Sequence, residues 1–147
     1  MKKFLLVVTV FLFNFSFSQN NKGKLFIIGG GSRPDFLVDR MVKEAGLNPG
    51  DAVAIFPQAS SEQDSSFYYA KQQFEKRNLK AVNYAFKKGE KLPSSKLDSL
   101  KKAKLIYVGG GDQVIFMDII NTYPEVKNIL KESYEKGNMI AGTSAGA

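Results

Sequence analysis

The segment MIAGTSAG, residues 139–146, decides how this sequence can fold. A short apolar run over residues 139–141 predicts a buried β-strand, and the pattern G-x-S-x-G follows it directly. A serine on a very tight turn after a strand projects its hydroxyl out of the sheet, and the turn closes only if the residues two before and two after it are small. Ser144 is therefore a candidate nucleophile. The alternative is a flexible glycine- and serine-rich loop, or a serine that caps a helix.

Upstream of this segment, continuous apolar runs alternate along the chain with segments whose apolar residues recur at helical spacing. Unbroken apolar strands are buried on both faces, and their alternation with amphipathic helices implies a parallel sheet covered on both sides. We therefore predict an α/β fold with three layers, α/β/α, and a mainly parallel sheet. The predicted strands are residues 24–28, 52–56, 81–86, 105–108 and 139–141, and the predicted helices are residues 36–45, 62–77, 94–102, 114–120 and 125–135.

Three loops that follow predicted strands have unusual sequences: residues 29–34, 109–113 and 142–147. Ligands of open parallel sheets bind at the carboxyl ends of the strands. In the second loop, GGGDQ, glycines allow the main chain to approach a ligand and to point N–H groups at it, as an oxyanion hole requires. Asp112 is either a ligand contact or a helix N-cap, and Gln113 offers an amide donor and acceptor or is an exposed first-turn residue.

Two other polar groups each have two interpretations. Residues 60–64, SSEQD, either line a substrate cleft or form a helix start, with Ser60 or Ser61 as the cap and acids in the first turn. Arg33 could meet a substrate carboxylate, and so could several lysines.

Composition excludes several function classes. The 147 residues contain no cysteine and no histidine, which removes thiol nucleophiles, zinc–thiolate sites and the commonest general base. The formal charge is +7, yet the lysine clusters resemble solvated faces and lack the aromatic platforms of nucleic-acid binding. Pro34 replaces the third glycine of a dinucleotide-binding loop. We predict no metal, no cofactor and no nucleic-acid partner.

Residues 1–18 have the layout of a secretory signal peptide. Two lysines precede an apolar run over residues 4–13, and small residues at positions 16 and 18 precede a cut between Ser18 and Gln19. A transmembrane anchor is the alternative, but the run is short and Asn14 interrupts it. We expect a secreted or periplasmic protein, no stable membrane anchor after cleavage, and a domain over residues 19–147.

The segments LFIIGGG, IYVGGGDQ and AGTSAGA, in this order and spacing, resemble the cyanophycinase and dipeptidase E family of serine peptidases. The resemblance runs from about Lys24 to the last residue. It implies a fold similar to class I glutamine amidotransferases. Gly109 departs from the family pattern, in which a larger residue more often precedes GGDQ.

The resemblance also implies roles for individual residues. Ser144 would be the nucleophile that forms an acyl-enzyme, and the N–H groups of Ala145, Gly110 and Gly111 would form the oxyanion hole. The side chain of Gln113, with Asp112 beside it, would hold the substrate. The implied substrates are peptides with an aspartyl residue at the cleaved bond, including the β-linked Asp-Arg units of cyanophycin.

One departure from the family bears directly on catalysis. A serine hydroxyl needs a base to accept its proton, and in the family that base is a histidine downstream of the serine. A lysine base is the alternative, since Ser–Lys pairs are known, but nothing in the sequence singles out one lysine. We therefore expect this chain to be the N-terminal portion of a longer enzyme, inactive alone, with part of the sheet surface and the edge of the last strand uncovered. A catalytically silent secreted module that binds a small ligand is the alternative.

Overall fold

The computed structural model describes residues 22–147, which form a parallel sheet flanked by helices. The predicted signal peptide lies outside the described residues. Within residues 22–147, no helix is long and apolar enough to span a bilayer. The strands are β1 (Lys24–Ile28), β2 (Ala52–Phe56), β3 (Lys80–Asn83), β4 (Leu105–Val108) and β5 (Met139–Thr143); the helices are α1 (Asp35–Glu44), α2 (Gln63–Glu75), α3 (Ser94–Lys101), α4 (Gln113–Asn121) and α5 (Pro124–Glu135), and a 3-10 turn covers Ser144–Gly146.

The strand order is β1-β5-β4-β2-β3, and each neighbouring pair is parallel. The order places β5 between β1 and β4, so three carboxyl-terminal strand ends lie side by side. Ile28 of β1 is in register with Thr143 of β5, and Val108 of β4 is in register with Gly142. This arrangement confirms the predicted fold class and gathers the loops after β1, β4 and β5 at one edge.

Side chains alternate along the strands between two buried cores. On one face, Val53, Ile55 and Tyr107 pack with residues of α1 and α2, including Phe74. On the other face, Phe56 and its neighbours pack with residues of α3, α4 and α5. Helices therefore cover both faces of the sheet, as the unbroken apolar strands predict.

The largest boundary error is in the third strand, and a predicted helix cap is also wrong. The third strand ends at Asn83 rather than at position 86, and the ring of the next residue, Tyr84, stacks on Phe56 with ring centroids 5.5 Å apart. Neither Ser60 nor Ser61 caps α2. The Ser60 Oγ instead accepts a hydrogen bond from the Glu62 N–H at 3.1 Å, which forms a turn ahead of the helix.

The expected uncovered edge is not that of the last strand. β5 is paired on both sides, and β1 is the edge strand instead. Leu25 and Ile27 of β1 are 60% and 70% exposed among the described residues, while Phe26 packs into the core beside α1 and α2. An apolar face on an edge strand is a site of association between chains.

We expect the double variant Leu25→Thr/Ile27→Thr to raise the soluble concentration of the described domain by about twofold or more, because threonine keeps β-propensity while it removes the apolar face. Light scattering against concentration measures the onset of association. The control is Tyr68→Thr, which removes a single exposed aromatic residue on α2. An onset unchanged in the double variant would contradict this prediction.

Candidate active site

The turn after β5 holds Ser144 in a conformation that few side chains adopt. Its φ angle is +52°, in the left-handed region, and its side chain is exposed. Close backbone contacts leave no room for a side chain at Gly142 or Gly146, the two glycines of the pattern. A Cβ atom on Gly142 would overlap the carbonyl oxygen of Gly146, and one on Gly146 would lie 2.6 Å from the carbonyl oxygen of Val108. The spacing G-x-S-x-G is thus the sequence that this close turn allows.

Two glycine loops flank the Ser144 side chain. A Cβ atom on Gly30, in the loop after β1, would lie 3.7 Å from the Ser144 Oγ. A Cβ atom on Gly110, in the loop after β4, would lie 3.8 Å from the same oxygen. Glycine main chain therefore lies on both sides of the Ser144 hydroxyl. A ligand carbonyl group that approaches this hydroxyl can also approach the N–H groups of these loops.

The loop after β4 is tied to the loop after β2. The Asp112 N–H donates to the carbonyl oxygen of Ala59 at 2.7 Å, and the Gly109 N–H donates to that of Phe56 at 2.8 Å. Gly111 has a φ of +146°, and a Cβ atom there would overlap the Ala59 carbonyl. Glycine at position 111 is therefore required by backbone contact.

A cleft of about 310 Å³ opens over Ser144. Its walls come from the loops after β1 and β4, from the ends of β4 and β5, and from α2. Arg33, Ser66, Tyr69 and Tyr107 are the polar side chains that line it besides Thr143 and Ser144.

The predicted site residues are only partly gathered in this cleft. Ser144, Gly110 and Gly111 line it. Ala145 follows Ser144 in the 3-10 turn. The Asp112 side chain accepts a hydrogen bond from the Val114 N–H at 2.7 Å and so caps α4. The exposed Gln113 is the first residue of α4, and neither it nor Asp112 is among the cleft-lining residues, so their substrate-binding role stays a prediction.

The polar segment SSEQD lies elsewhere. Ser61, Glu62, Gln63 and Asp64 line a separate depression with residues 85–87 and Glu90, away from Ser144. The interpretation that placed this segment in the substrate cleft is wrong for the cleft over Ser144, since the strand β2 that it follows is separated from β5 by β4.

Tyr107 lines the cleft and was not predicted from the sequence as a candidate site residue. It lies in the apolar strand LIYV and is 1% exposed, which made it resemble an ordinary core residue. Burial raises the pKa of its phenol, while the nearby charge of Arg33 and the Thr143 side chain oppose that rise. A hydroxyl at the carboxyl end of a central parallel strand was the available indication.

We expect Gly142→Ala and Gly146→Ala each to lower the free energy of unfolding by roughly 2 kcal/mol or more, because the new methyl group would overlap backbone that cannot move independently. Urea denaturation measures the change. Gly29→Ala is the matched control, since nothing lies within 4 Å of a Cβ atom there. Equal stability of all three variants would show that the turn is looser than its contacts indicate.

Comparison with known proteins agrees with this fold. The fold is similar to that of a Listeria monocytogenes EGD-e protein described as a peptidase E, with 21% identity over 86% of this chain and 60% of that one and a TM-score of 0.67. It is also similar to a peptidase from an acI-B1 Actinobacterium, with 23% identity over 88% of this chain and 57% of that one and a TM-score of 0.69. The chain thus spans up to 60% of the length of these two structures.

No curated protein matches the sequence. A family model, however, matches residues 25–147, from β1 through the turn that carries Ser144. That match includes all three glycine loops and nearly the whole described domain. The chain belongs to peptidase family S51.

Proposed function

We propose that this protein is a serine-type peptidase that cleaves peptides at aspartyl or β-aspartyl linkages through an acyl-enzyme on Ser144. The observation that carries the proposal is the exposed Ser144, held at φ +52° between two glycine loops. Membership of a peptidase family supports peptide substrates, and the resemblance to cyanophycinases and dipeptidase E supports the aspartyl linkage.

The proposed reaction has two covalent steps. The Ser144 Oγ attacks the carbonyl carbon of the scissile bond as its proton passes to a base, and negative charge develops on the carbonyl oxygen. The N–H groups of Ala145 and of the Gly110–Gly111 segment stabilise that oxyanion. Collapse of the tetrahedral intermediate breaks the C–N bond, and the amine leaves with a proton. Water then hydrolyses the ester and restores the hydroxyl.

We propose that the base is supplied from outside these 147 residues. They contain no histidine, and among residues 22–147 no lysine lines the cleft over Ser144. We propose that this chain supplies the nucleophile and the oxyanion hole of a longer protein. A segment that carries the base and its orienting acid then completes the site.

The first 18 residues support a location outside the cytoplasm. Their basic start, apolar run and small residues before Gln19 are typical of a cleaved signal peptide. We propose a secreted or periplasmic peptidase that meets its substrates after export.

A fluorophosphonate probe tests whether Ser144 is an activated nucleophile. We expect the protein expressed from the complete gene to be labelled at Ser144, because the probe reacts with serines whose proton is taken by a base. Ser144→Ala abolishes labelling, while Ser65→Ala, which changes an exposed serine on α2, retains it. Labelling that survives Ser144→Ala would contradict the assignment. Absence of labelling in the unaltered protein would favour a silent binding module.

We expect the 147-residue chain expressed by itself to show no hydrolysis of a β-Asp-Arg dipeptide, because no histidine, lysine or carboxylate among residues 22–147 lines the cleft to accept the Ser144 proton. Amine release followed by mass spectrometry measures the activity. Hydrolysis by this chain that Ser144→Ala abolishes would overturn the need for an added base.

A further inference from the structure

Arg33 differs from the other two arginines of the chain. Arg40 pairs with Glu44, and Arg77 pairs with Asp35 and Asp39. Among residues 22–147, Arg33 has no carboxylate within ion-pair distance. Its Nε instead donates to the Gln73 Oε1 at 2.9 Å, and this fixes the guanidinium through one of its donors. Arg33 lines the Ser144 cleft, and this hydrogen bond leaves the other N–H groups of its guanidinium unused.

The ring beneath Arg33 supplies a second donor. The guanidinium carbon lies 5.8 Å from the ring centroid of Tyr107, which is held edge to face by Phe74. The Tyr107 hydroxyl is buried and makes no hydrogen bond of good geometry among residues 22–147, although the Thr143 side chain and the Arg33 guanidinium lie close to it. A buried polar atom without a partner is unfavourable, so this hydroxyl suits a site where a ligand oxygen completes its bonding.

The helices on either side hold this pair in place. Arg77, two residues after the end of α2, donates to the Asp39 carboxylate at 2.6 Å and to the main-chain oxygen of Asp35 at 2.8 Å, so it joins α1 to the end of α2. Hydrogen bonds from Lys76 and Arg77 hold the pKa of the Asp35 carboxyl below its usual value. Arg33 lies just before α1 and bonds to Gln73 on α2. The hydrogen bonds between these two helices therefore fix the position of the Arg33 guanidinium.

We propose that Arg33 and the Tyr107 hydroxyl bind the free carboxylate of the aspartyl residue at the scissile bond. The inference rests on the proposed function, because it assumes that this residue enters the Ser144 cleft. A guanidinium presents N–H donors in a planar fork that matches a carboxylate, and a phenol O–H adds a third donor.

The chemistry of aspartate extends the proposal to both linkages. In an α-linked residue, two carbon atoms separate the scissile carbonyl carbon from the side-chain carboxylate. In a β-linked residue, two carbon atoms separate the scissile carbonyl carbon from the α-carboxylate. One carboxylate site can therefore serve both linkages, whereas an α-linked glutamyl residue has one carbon too many.

Paired substrates test this assignment on the protein expressed from the complete gene. We expect Arg33→Gln to lower kcat/KM for α-Asp and β-Asp peptides alike by about 100-fold, and to leave the slow cleavage of the matching Asn peptide within about threefold. Arg33→Lys keeps the charge without the fork and should lose about tenfold. Tyr107→Phe should also lose about tenfold, with the fold retained because only an unpartnered hydroxyl is removed. Arg40→Gln is the control of equal charge change.

Several results would overturn the assignment. Equal losses on the Asp and Asn peptides would mean that Arg33 supports the fold rather than the carboxylate. A loss confined to one linkage would refute the shared site.

Binding of succinamate, the smallest molecule with a carboxylate and an amide at this spacing, separates the inference from the proposed function. Binding that Ser144→Ala retains and Arg33→Gln removes, measured by calorimetry, supports the carboxylate site even if no peptide is cleaved. Binding that Arg33→Gln leaves unchanged refutes the site even if Ser144 is labelled by the fluorophosphonate.

Discussion

Close contact between main-chain atoms at the end of β5 is the constraint on which the candidate site depends. Gly142 and Gly146 meet without room for a side chain, and Gly146 lies against the carbonyl oxygen of Val108. The residue between them is left with a φ of +52°, a conformation that costs a non-glycine residue of order 1–3 kcal/mol. The sheet can hold that strain because β5 is paired along its length with β1 and β4. The same constraint keeps the Ser144 hydroxyl out of the core.

Strand order explains why residues far apart in the sequence share this site. β1 and β4 are separated by more than seventy residues, yet β5 lies between them, so the loops after these three strands end at one edge. Glycines in the first two loops then let main chain lie beside Ser144 from opposite sides. The geometry of the candidate site is therefore a consequence of topology, with local sequence needed chiefly to remove side chains that would obstruct it.

The parts of the structure that could be predicted are those encoded locally. Runs such as AVAIF and LIYV indicate buried parallel strands, and G-x-S-x-G indicates the turn, because each pattern depends on neighbours in the chain. Strand order depends on crossover connections that no local pattern encodes, so the sequence does not identify β1 rather than β5 as the edge strand. Tyr107 resembled a core residue for the same reason. Only the pairing of β4 with β5, and the packing of α2 above them, places this residue along the cleft.

The charged side chains around the cleft over Ser144 give it a positive electrostatic potential. Among residues 22–147, Arg33 is the only charged side chain that lines it, and no aspartate or glutamate does. An acid beside Arg33 would form an internal ion pair, as Glu44 does with Arg40, and would compete with any anionic ligand. The acids nearest in sequence to the loop after β2, Glu62 and Asp64, line a different depression. A cation fixed through an amide, in a wall without carboxylates, keeps its remaining donors available for an anion that arrives with the substrate.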